Sequence, residues 1–174
     1  MLIELKKLTR DDLLYLLDLK IESFETTHHV TIANIEDQNR WFDSLDQHTH
    51  SPRNLHLIAY LKDEPYSKKF GIIKITNIDW VSRNADIGWD VFKEYRGKGL
   101  GKKMVKSGID YCFDILNLRR LTAEILSNNL ASAKCAQYAG FSKEGIKKEL
   151  TYKSNEYLDS FIYGILRQDW VYNK

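Results

Sequence analysis

The sequence has few of the residues that build disulfide frameworks, cysteine-ligated metal sites or interdomain linkers. Among 174 residues there are two cysteines, Cys112 and Cys135, which do not form a CxxC pair, and two prolines, Pro52 and Pro65. The cysteines indicate neither a disulfide scaffold nor a metal site, and we expect both to be small core residues. The prolines fall among loop-forming residues and mark no domain boundary, so residues 1–174 are predicted to form one domain.

Long apolar runs and a large excess of one charge are also absent from the sequence. No run approaches the ~18 apolar residues of a transmembrane helix, and residues 1–7 lack the apolar segment of a secretory signal. The 26 basic and 24 acidic residues give a net charge of +2, which is too small for a nucleic-acid-binding face. We therefore expect a cytoplasmic protein whose partners include neither a membrane nor a nucleic acid.

The chain does have the composition and periodicity of a globular α/β domain, because 43% of its residues are hydrophobic and their spacing is regular. The spacing predicts helices over residues 9–24, 34–45, 99–116 and 129–139. It predicts strands over residues 2–5, 55–61, 71–78, 85–92 and 121–126, from 141 onward, and over 157–166. An antiparallel meander followed by strand, helix and strand predicts layers around a mixed sheet.

A glycine-rich loop, YRGKGLGKK at residues 95–103, lies between a predicted strand and a predicted helix. Backbone N–H groups and the positive end of the helix dipole bind anions at such a place, and glycines let the backbone approach phosphate oxygens. The loop lacks the spacing of a P-loop and the third glycine of a dinucleotide-binding loop. The alternative is a tight strand-to-helix turn with no ligand.

Four segments together resemble the GNAT acetyltransferase superfamily. RGKGLG at residues 96–101 is similar to its Arg/Gln-x-x-Gly-x-Gly/Ala motif, and ADIGW at 85–89 resembles the strand that precedes it. Asn129-x-x-Ser132 with the GF pair at 140–141 resembles the next helix and strand, and residues 159–170 resemble the closing strand. The resemblance is to the branch that holds RimJ/RimL-like ribosomal-protein, spermidine and nucleotide-sugar N-acetyltransferases.

The resemblance implies an α/β (α+β) GNAT fold with a mixed, mostly antiparallel sheet of six to seven strands, about four helices and two splayed central strands. It also implies acetyl-CoA as cosubstrate and no metal. The cofactor-binding residues that it implies are Val91, Arg96, Gly97, Lys98, Gly99, Leu100, Gly101, Lys102, Asn129 and Ser132. Lys134 is a further candidate for a terminal phosphate, although a solvated helix lysine is the simpler interpretation.

Acetyl transfer to an amine requires a base, because an alkylammonium has a pKa of about 10.4 and its nitrogen must lose a proton before it attacks. Asp86 occupies the acidic position of the strand before the loop and is the first candidate, while Glu124 on the neighbouring strand is held in reserve. A structural role for Asp86 is an equal alternative. Ala136 replaces the tyrosine with which many GNAT enzymes protonate the CoA thiolate, and Tyr138 falls on another helix face.

The acceptor pocket is expected between the first two helices, where His28, His29, Arg40 and Trp41 are candidate substrate-binding residues. Aromatic and cationic neighbours suit an amino sugar attached to a nucleotide. Ribosomal-protein N-terminal amines, polyamines and aminoglycosides remain alternatives, as does a CoA-binding GNAT module without catalysis. The resemblance is also compatible with a homodimer.

Overall fold

The computed structural model describes residues 2–28, 34–46, 50–63 and 66–172 of the chain. Within these residues the strands are β1 (Leu2–Lys7), β2 (Leu55–Asp63), β3 (Tyr66–Asp79), β4 (Asn84–Val91), β5 (Arg120–Leu126), β6 (Ser142–Lys153) and β7 (Glu156–Leu166). The α-helices are α1 (Leu13–Glu22), α2 (Ile35–Asp43), α3 (Leu100–Asp110), α4 (Leu130–Tyr138) and α5 (Arg167–Tyr172).

The strands form one mixed sheet in the order β1-β2-β3-β4-β5-β7-β6. Every neighbouring pair is antiparallel except β4 and β5, which are parallel. A parallel pair needs a crossover, and α3 supplies it between β4 and β5. The predicted mixed, mostly antiparallel sheet is therefore confirmed.

Helices cover both faces of the sheet, and the alternation of buried residues along β3 shows how. Ile73 belongs to the larger apolar cluster under α3 and α4, whereas its neighbour Ile72 belongs to a smaller cluster under α1 and α2. Successive side chains of a strand point to opposite faces, so β3 contributes to both cores. Both isoleucines are fully buried, and each burial contributes about 1.5–3 kcal/mol.

Two elements differ from the sequence prediction. The helix predicted over 99–116 is α-helical only to Asp110 and continues as a π-helical turn over Tyr111–Ile115. The closing strand ends at Leu166, as its periodicity predicts, but residues 167–170, which the resemblance assigns to the same strand, begin a fifth helix. The reason is Trp170, whose Nε1 donates to Oδ1 of Asp110 at 2.8 Å and whose ring packs on Phe113.

Among the described helices, none has the length and apolar character that crossing a bilayer would require. The two cysteines are both free, but they differ in environment. Cys112 is buried in the core as predicted, whereas Cys135 is only partly buried.

Candidate active site

The strands β4 and β5 separate in the middle of the sheet. They pair in parallel through Asn84 with Arg120, Ala85 with Leu121 and Asp86 with Thr122, and the described residues show no further pair between them. Beyond these pairs the chain opens a gap through the sheet. Two cavities lie in and beside this gap.

The first cavity has a volume of about 160 Å³ and lies between the diverging strands and the segment that follows α1. Its polar lining comes from five elements and includes Thr26, Thr27, His28, Lys74, Asp90, Glu124, Asn129 and Ser132. It combines carboxylates, cations and hydroxyl groups in a space large enough for a few non-hydrogen atoms. We call it the acceptor cavity.

The second cavity has a volume of about 410 Å³ and extends from the gap to the glycine loop and the first turns of α3 and α4. We call it the cofactor cavity. Its lining includes Val91, Arg96, Gly97, Gly99, Gly101, Lys102, Asn129, Ser132, Lys134 and Cys135. The two cavities share five lining residues, Thr26, Trp89, Asp90, Asn129 and Ser132, so they meet at the point where the strands diverge.

The glycine loop has the backbone conformation that its sequence requires. Gly97 and Gly99 both have φ of 75°, which L residues other than glycine adopt at a cost. A Cβ at either position would meet no heavy atom within 4 Å, so the space beside them is open. Gly99 is also the N-cap of α3, whose first N–H groups have no acceptor inside the helix. The loop therefore presents free donors to an open space.

Three cationic side chains line the same cavity, namely those of Arg96, Lys102 and Lys134. The positive charge and the free N–H groups of α3 fit a pyrophosphate and a further phosphate. Arg96 also donates from Nε to the carbonyl oxygen of Val91 at 2.8 Å, which ties the loop to the end of β4.

Two buried polar atoms support the same fit, because neither has a hydrogen-bond partner among the described residues. They are Nε1 of Trp89, which lines both cavities, and Oγ1 of Thr27, which lines the acceptor cavity. Buried donors are almost always satisfied in native proteins. The residues that carry these atoms lie where a molecule with amide and carbonyl groups, such as the acetylated pantetheine arm of acetyl-CoA, would pass between the two cavities.

Asn129 connects the two cavities. Its Oδ1 accepts a hydrogen bond from the backbone N of Ser132 at 3.0 Å, which caps α4, and its Nδ2 donates to the carbonyl oxygen of Thr26 at 2.8 Å. One amide group therefore fixes the start of α4 and also holds the segment that carries His28.

A cluster of four polar side chains from four elements lies at the acceptor cavity, and two of them, His28 and Glu124, line it. Nε2 of His28 lies 3.2 Å from Oε1 of Glu124 and 3.0 Å from Oγ of Ser160. Nζ of Lys147 donates to Oε2 of Glu124 at 2.6 Å. Both oxygens of Glu124 are therefore engaged, one by an imidazole and one by an ammonium group.

The pKa of His28 is held below its ordinary value. Burial is the largest cause, and Lys153, Lys74 and Lys147 act in the same direction, whereas Glu124 opposes them. This shift of the pKa of His28 favours the neutral imidazole. On the cofactor side, burial raises the pKa of the Cys135 thiol, and Lys102 partly offsets this effect.

The structure brings most of the cofactor-binding candidates together, but not all of them. Eight of the ten line the cofactor cavity. The remaining two, Lys98 and Leu100, lie elsewhere: Leu100 is buried in the core, and Nζ of Lys98 lies over the ring of Tyr95. These two side chains do not face the cavity, so any contribution would come from their backbone.

Only some of the catalytic and acceptor-binding candidates line the acceptor cavity. Glu124 and His28 line the acceptor cavity, whereas Asp86 is exposed, lines neither cavity, and accepts a hydrogen bond from Asn77 at 2.8 Å. Arg40 is paired with Asp37 on the surface of α2.

One further candidate for acceptor binding, Trp41, lines neither cavity. Trp41 packs against His56 with a centroid separation of 4.9 Å. His29 lies outside the described residues.

Other cavity residues were not predicted from the sequence. Lys74 and Asp90 form an ion pair of 2.7 Å on the wall of the acceptor cavity. Cys135 packs against the core as a partly buried residue and also lines the cofactor cavity, and a Cβ on Gly101 would lie 3.4 Å from its Sγ. A helical wheel of α4 that took Gly101 into account would have indicated this orientation of the Cys135 side chain. The sequence holds no comparable signal for the positions of Lys74 and Asp90.

The helix that follows β5 is regular, as its capping residues predict. Asn129 caps its start, and the chain leaves it at Gly140 with φ of 94°. Ala136 is fully buried, whereas Tyr138 is exposed and lies beneath Nζ of Lys102 at 5.0 Å. Tyr138 lines neither cavity.

Comparison with known proteins identifies the family to which this geometry belongs. The sequence profile of the acetyltransferase (GNAT) domain matches residues 3–142. The chain belongs to the GNAT acetyltransferase family. Acetyl-CoA is the cosubstrate of this family, and the described residues hold no group of three or more histidine, cysteine or carboxylate side chains placed to bind a metal.

Relatives of known sequence are similar over part or most of this GNAT chain. YdaF of Bacillus subtilis, an N-acetyltransferase by its name, is 31% identical over 100 residues, which are 58% of this chain and 55% of YdaF. The chain thus spans about half the length of the first curated relatives that it matches. The spermidine N(1)-acetyltransferase of Escherichia coli K12 is 27% identical over 147 residues, 82% of this chain and 74% of that protein.

Among solved structures, the spermidine N-acetyltransferase of Vibrio cholerae in complex with CoA and spermine has a TM-score of 0.86. Its sequence identity is 20%, and the match covers 97% of this chain and 98% of that chain. At this identity the likeness shows the fold alone. It confirms the predicted GNAT fold with its seven-stranded mixed sheet.

Proposed function

We propose that this protein is an acetyl-CoA-dependent N-acetyltransferase that acts on a primary amine of a small molecule. The observation that carries the proposal is the gap between β4 and β5, where a cationic, glycine-lined cavity meets a smaller cavity with acid and base groups. An elongated anionic cosubstrate fits the cofactor cavity. An amine fits the acceptor cavity.

The cosubstrate would be held by the glycine loop, the cationic side chains and Asn129 with Ser132. When bound, acetyl-CoA supplies the activated acetyl group as a thioester. The amine nitrogen then forms a bond to the thioester carbonyl carbon, and the bond between that carbon and sulfur breaks. The nucleophile is the substrate itself, so no covalent enzyme intermediate is required.

The CoA sulfur needs a proton after this bond has broken. Ala136 stands where many members of the family have a tyrosine, and Tyr138 is exposed and outside both cavities. We propose that water or a proton from the substrate ammonium serves the sulfur. Of the two carboxylate candidates only Glu124 lines the acceptor cavity, so the groups that remove the ammonium proton are proposed to lie around Glu124 and not around Asp86.

The acceptor is proposed to carry a single ammonium group near the cavity, as in an amino sugar attached to a nucleotide. Among the described lining residues both carboxylates are paired with lysines, Asp90 with Lys74 at 2.7 Å and Glu124 with Lys147 at 2.6 Å. A polyamine would bring further cations to a wall whose negative charge is already neutralised. Polyamines remain the competing class, because several similar proteins are spermidine acetyltransferases.

The proposal is tested with purified protein, acetyl-CoA and a panel of amines that includes nucleotide-linked amino sugars, N-terminal peptides, aminoglycosides and spermidine. Free thiol is measured, together with the acetylated product by mass spectrometry. We expect thiol release with a single-ammonium acceptor. Release with spermidine alone would assign the polyamine class instead.

A CoA-binding module without catalysis is the second candidate, and the missing tyrosine at the position of Ala136 favours it. The same assay separates the two functions. A module would be protected against heat by CoA yet would release no thiol with any amine, an outcome that would overturn the enzyme assignment.

The cellular setting completes the proposal. A cytoplasmic location is supported by the two free cysteines, which are typical of a reducing compartment. A homodimer stays a prediction that light scattering would test.

A further inference from the structure

The acceptor cavity contains an imidazole that is better placed than either carboxylate candidate to take a proton. Asp86 lies outside the cavity, on the exposed part of β4. Glu124 lies inside it, but its Oε1 faces His28 and its Oε2 accepts from Lys147. A carboxylate with both oxygens engaged by donors is a weak proton acceptor. His28 has a second ring nitrogen.

We propose that His28 is the general base of this transferase and that Glu124 is the residue that positions it. Nε2 carries the ring proton and donates it toward Oε1 of Glu124, with Ser160 as the second neighbour of this nitrogen. In this tautomer the lone pair is on Nδ1. The arrangement resembles other acid–histidine pairs, in which the carboxylate fixes the tautomer and stabilises the imidazolium that forms.

The charges around His28 set its protonation state. They come from three strands: Glu124 from β5, Lys147 and Lys153 from β6, and Lys74 from β3. Burial and the three lysines hold the pKa of His28 below its ordinary value, and Glu124 limits the decrease. A base must be unprotonated before the reaction, so this environment keeps His28 ready at neutral pH.

The proton balance of the reaction is closed by these groups. The ammonium nitrogen loses two protons in becoming an amide, as it forms its bond to the acetyl carbon and the carbon–sulfur bond breaks. His28 takes one proton on Nδ1 and passes it to water, which reaches the ring because 39% of the side chain is exposed. The other proton ends on the CoA sulfur.

The segment that carries His28 is held by groups outside the reaction. Asn129 donates to the carbonyl oxygen of Thr26, and Nζ of Lys153 contacts the carbonyl oxygens of Phe24 and Thr27. Lys153 is itself 5% exposed. The side chains of Asn129 and Lys153 thus hold three carbonyl groups within the four residues that precede His28. This gives the base the rigid support that proton transfer needs.

The inference rests on the proposed function, and its test therefore begins with the activity of the wild type. With an active acceptor, His28→Gln is expected to lower kcat about 10²-fold or more at pH 7 and to leave acetyl-CoA affinity unchanged. The deficit should shrink at high pH, where the amine loses its proton in solution. His50→Gln, at an exposed position that lines neither cavity, is the matched control.

The pH profile gives the sign of the effect. The rate of the wild type should fall as pH decreases through the pKa of His28, because the protonated ring cannot accept a proton. His28→Gln should lack this acidic limb. An unchanged limb in His28→Gln would overturn the inference, as would a large loss in Glu124→Gln or Asp86→Asn with normal turnover in His28→Gln.

A second readout does not depend on turnover. NMR titration of ¹⁵N-labelled histidine rings should show a neutral His28 protonated on Nε2 at pH 7. Glu124→Gln should lower the pKa of His28 further, and Lys147→Met should raise it, because the first removes a negative charge and the second a positive one. A pKa of His28 that responds to neither variant would also overturn the inference. A wild type that releases no thiol with any amine would instead overturn the proposed function.

Discussion

Gly99→Asp is the sharpest test of the phosphate cradle, and Gly99→Asn is its matched control. Both side chains have almost the same size, and asparagine and aspartate tolerate the left-handed backbone that Gly99 adopts with φ of 75°. The open space beside Gly99 accommodates either one. The two variants therefore share the backbone cost, and they differ by one negative charge at the N-terminus of α3.

The magnitude follows from the distance and the dielectric environment. A carboxylate about 6 Å from one phosphate charge costs about 3 kcal/mol at an effective dielectric constant of 20 and about 0.7 kcal/mol in bulk water. These limits correspond to roughly a hundredfold and a threefold loss of affinity. Gly99 is exposed but lines a cavity that contains three cationic side chains, so we expect at least a tenfold difference between the variants.

Calorimetric titration with CoA at 25 °C measures this difference, with circular dichroism as the check that both variants are folded. The difference should decrease at high ionic strength, because salt screens a partly exposed pair of charges. Equal affinities for the Asp and Asn variants at low salt would refute the assignment of the loop to the pyrophosphate.

Three further predictions concern packing and accessibility. Tyr138→Phe should have a single-turnover rate within about twofold of the wild-type rate, because Tyr138 lines neither cavity. A loss of roughly a hundredfold would show that Tyr138 protonates the CoA sulfur. Gly71→Ala should lower the free energy of unfolding in urea by about 1–3 kcal/mol, since the new Cβ would lie 2.5 Å from the carbonyl oxygen of Asp90. Gly145→Ala is the control, because its Cβ meets open space and should lower that free energy much less. Equal urea midpoints for the two variants would contradict this packing. Iodoacetamide should label Cys135 slowly, and CoA should protect it, as peptide mass mapping would show; labelling at the same rate with saturating CoA would place the thiol outside the cofactor cavity.

The sequence predicts the sheet well, and it also points to most of the described residues around the glycine loop that line the larger cavity, because both depend on local patterns. Strand periodicity, the glycines of the loop, and the cap at Asn129 each act within a few residues, and the resemblance to the GNAT family orders them. The fifth helix was missed for the opposite reason. Its position depends on Trp170 reaching Asp110 on a distant helix.

The acceptor side could be predicted only in part. His28 and Glu124 were named separately, but their pairing requires the chain to bring together a loop and a strand far apart in sequence, and Ser160 is 132 residues from His28. The motif position of Asp86 favours it as the base, yet Asp86 lies where β4 still pairs with Thr122 of β5, on the same face as Asp90 but four residues before it and away from the gap. Motif position does not determine which cavity a side chain reaches.

The unequal pairing of β5 has a consequence for the order in which the molecule is completed during synthesis. This strand shares three residue pairs with β4 but seven with β7, which is the last of the described strands in chain order. A nascent chain that ends after α4 already contains the glycine loop and the whole of β4, but it lacks the partner that holds the opposite wall from Ala123 to Leu126. β5 therefore gains the strand with which it shares most of its pairs only after Leu166 has been synthesised, so we expect the gap that would hold the reacting groups to form late.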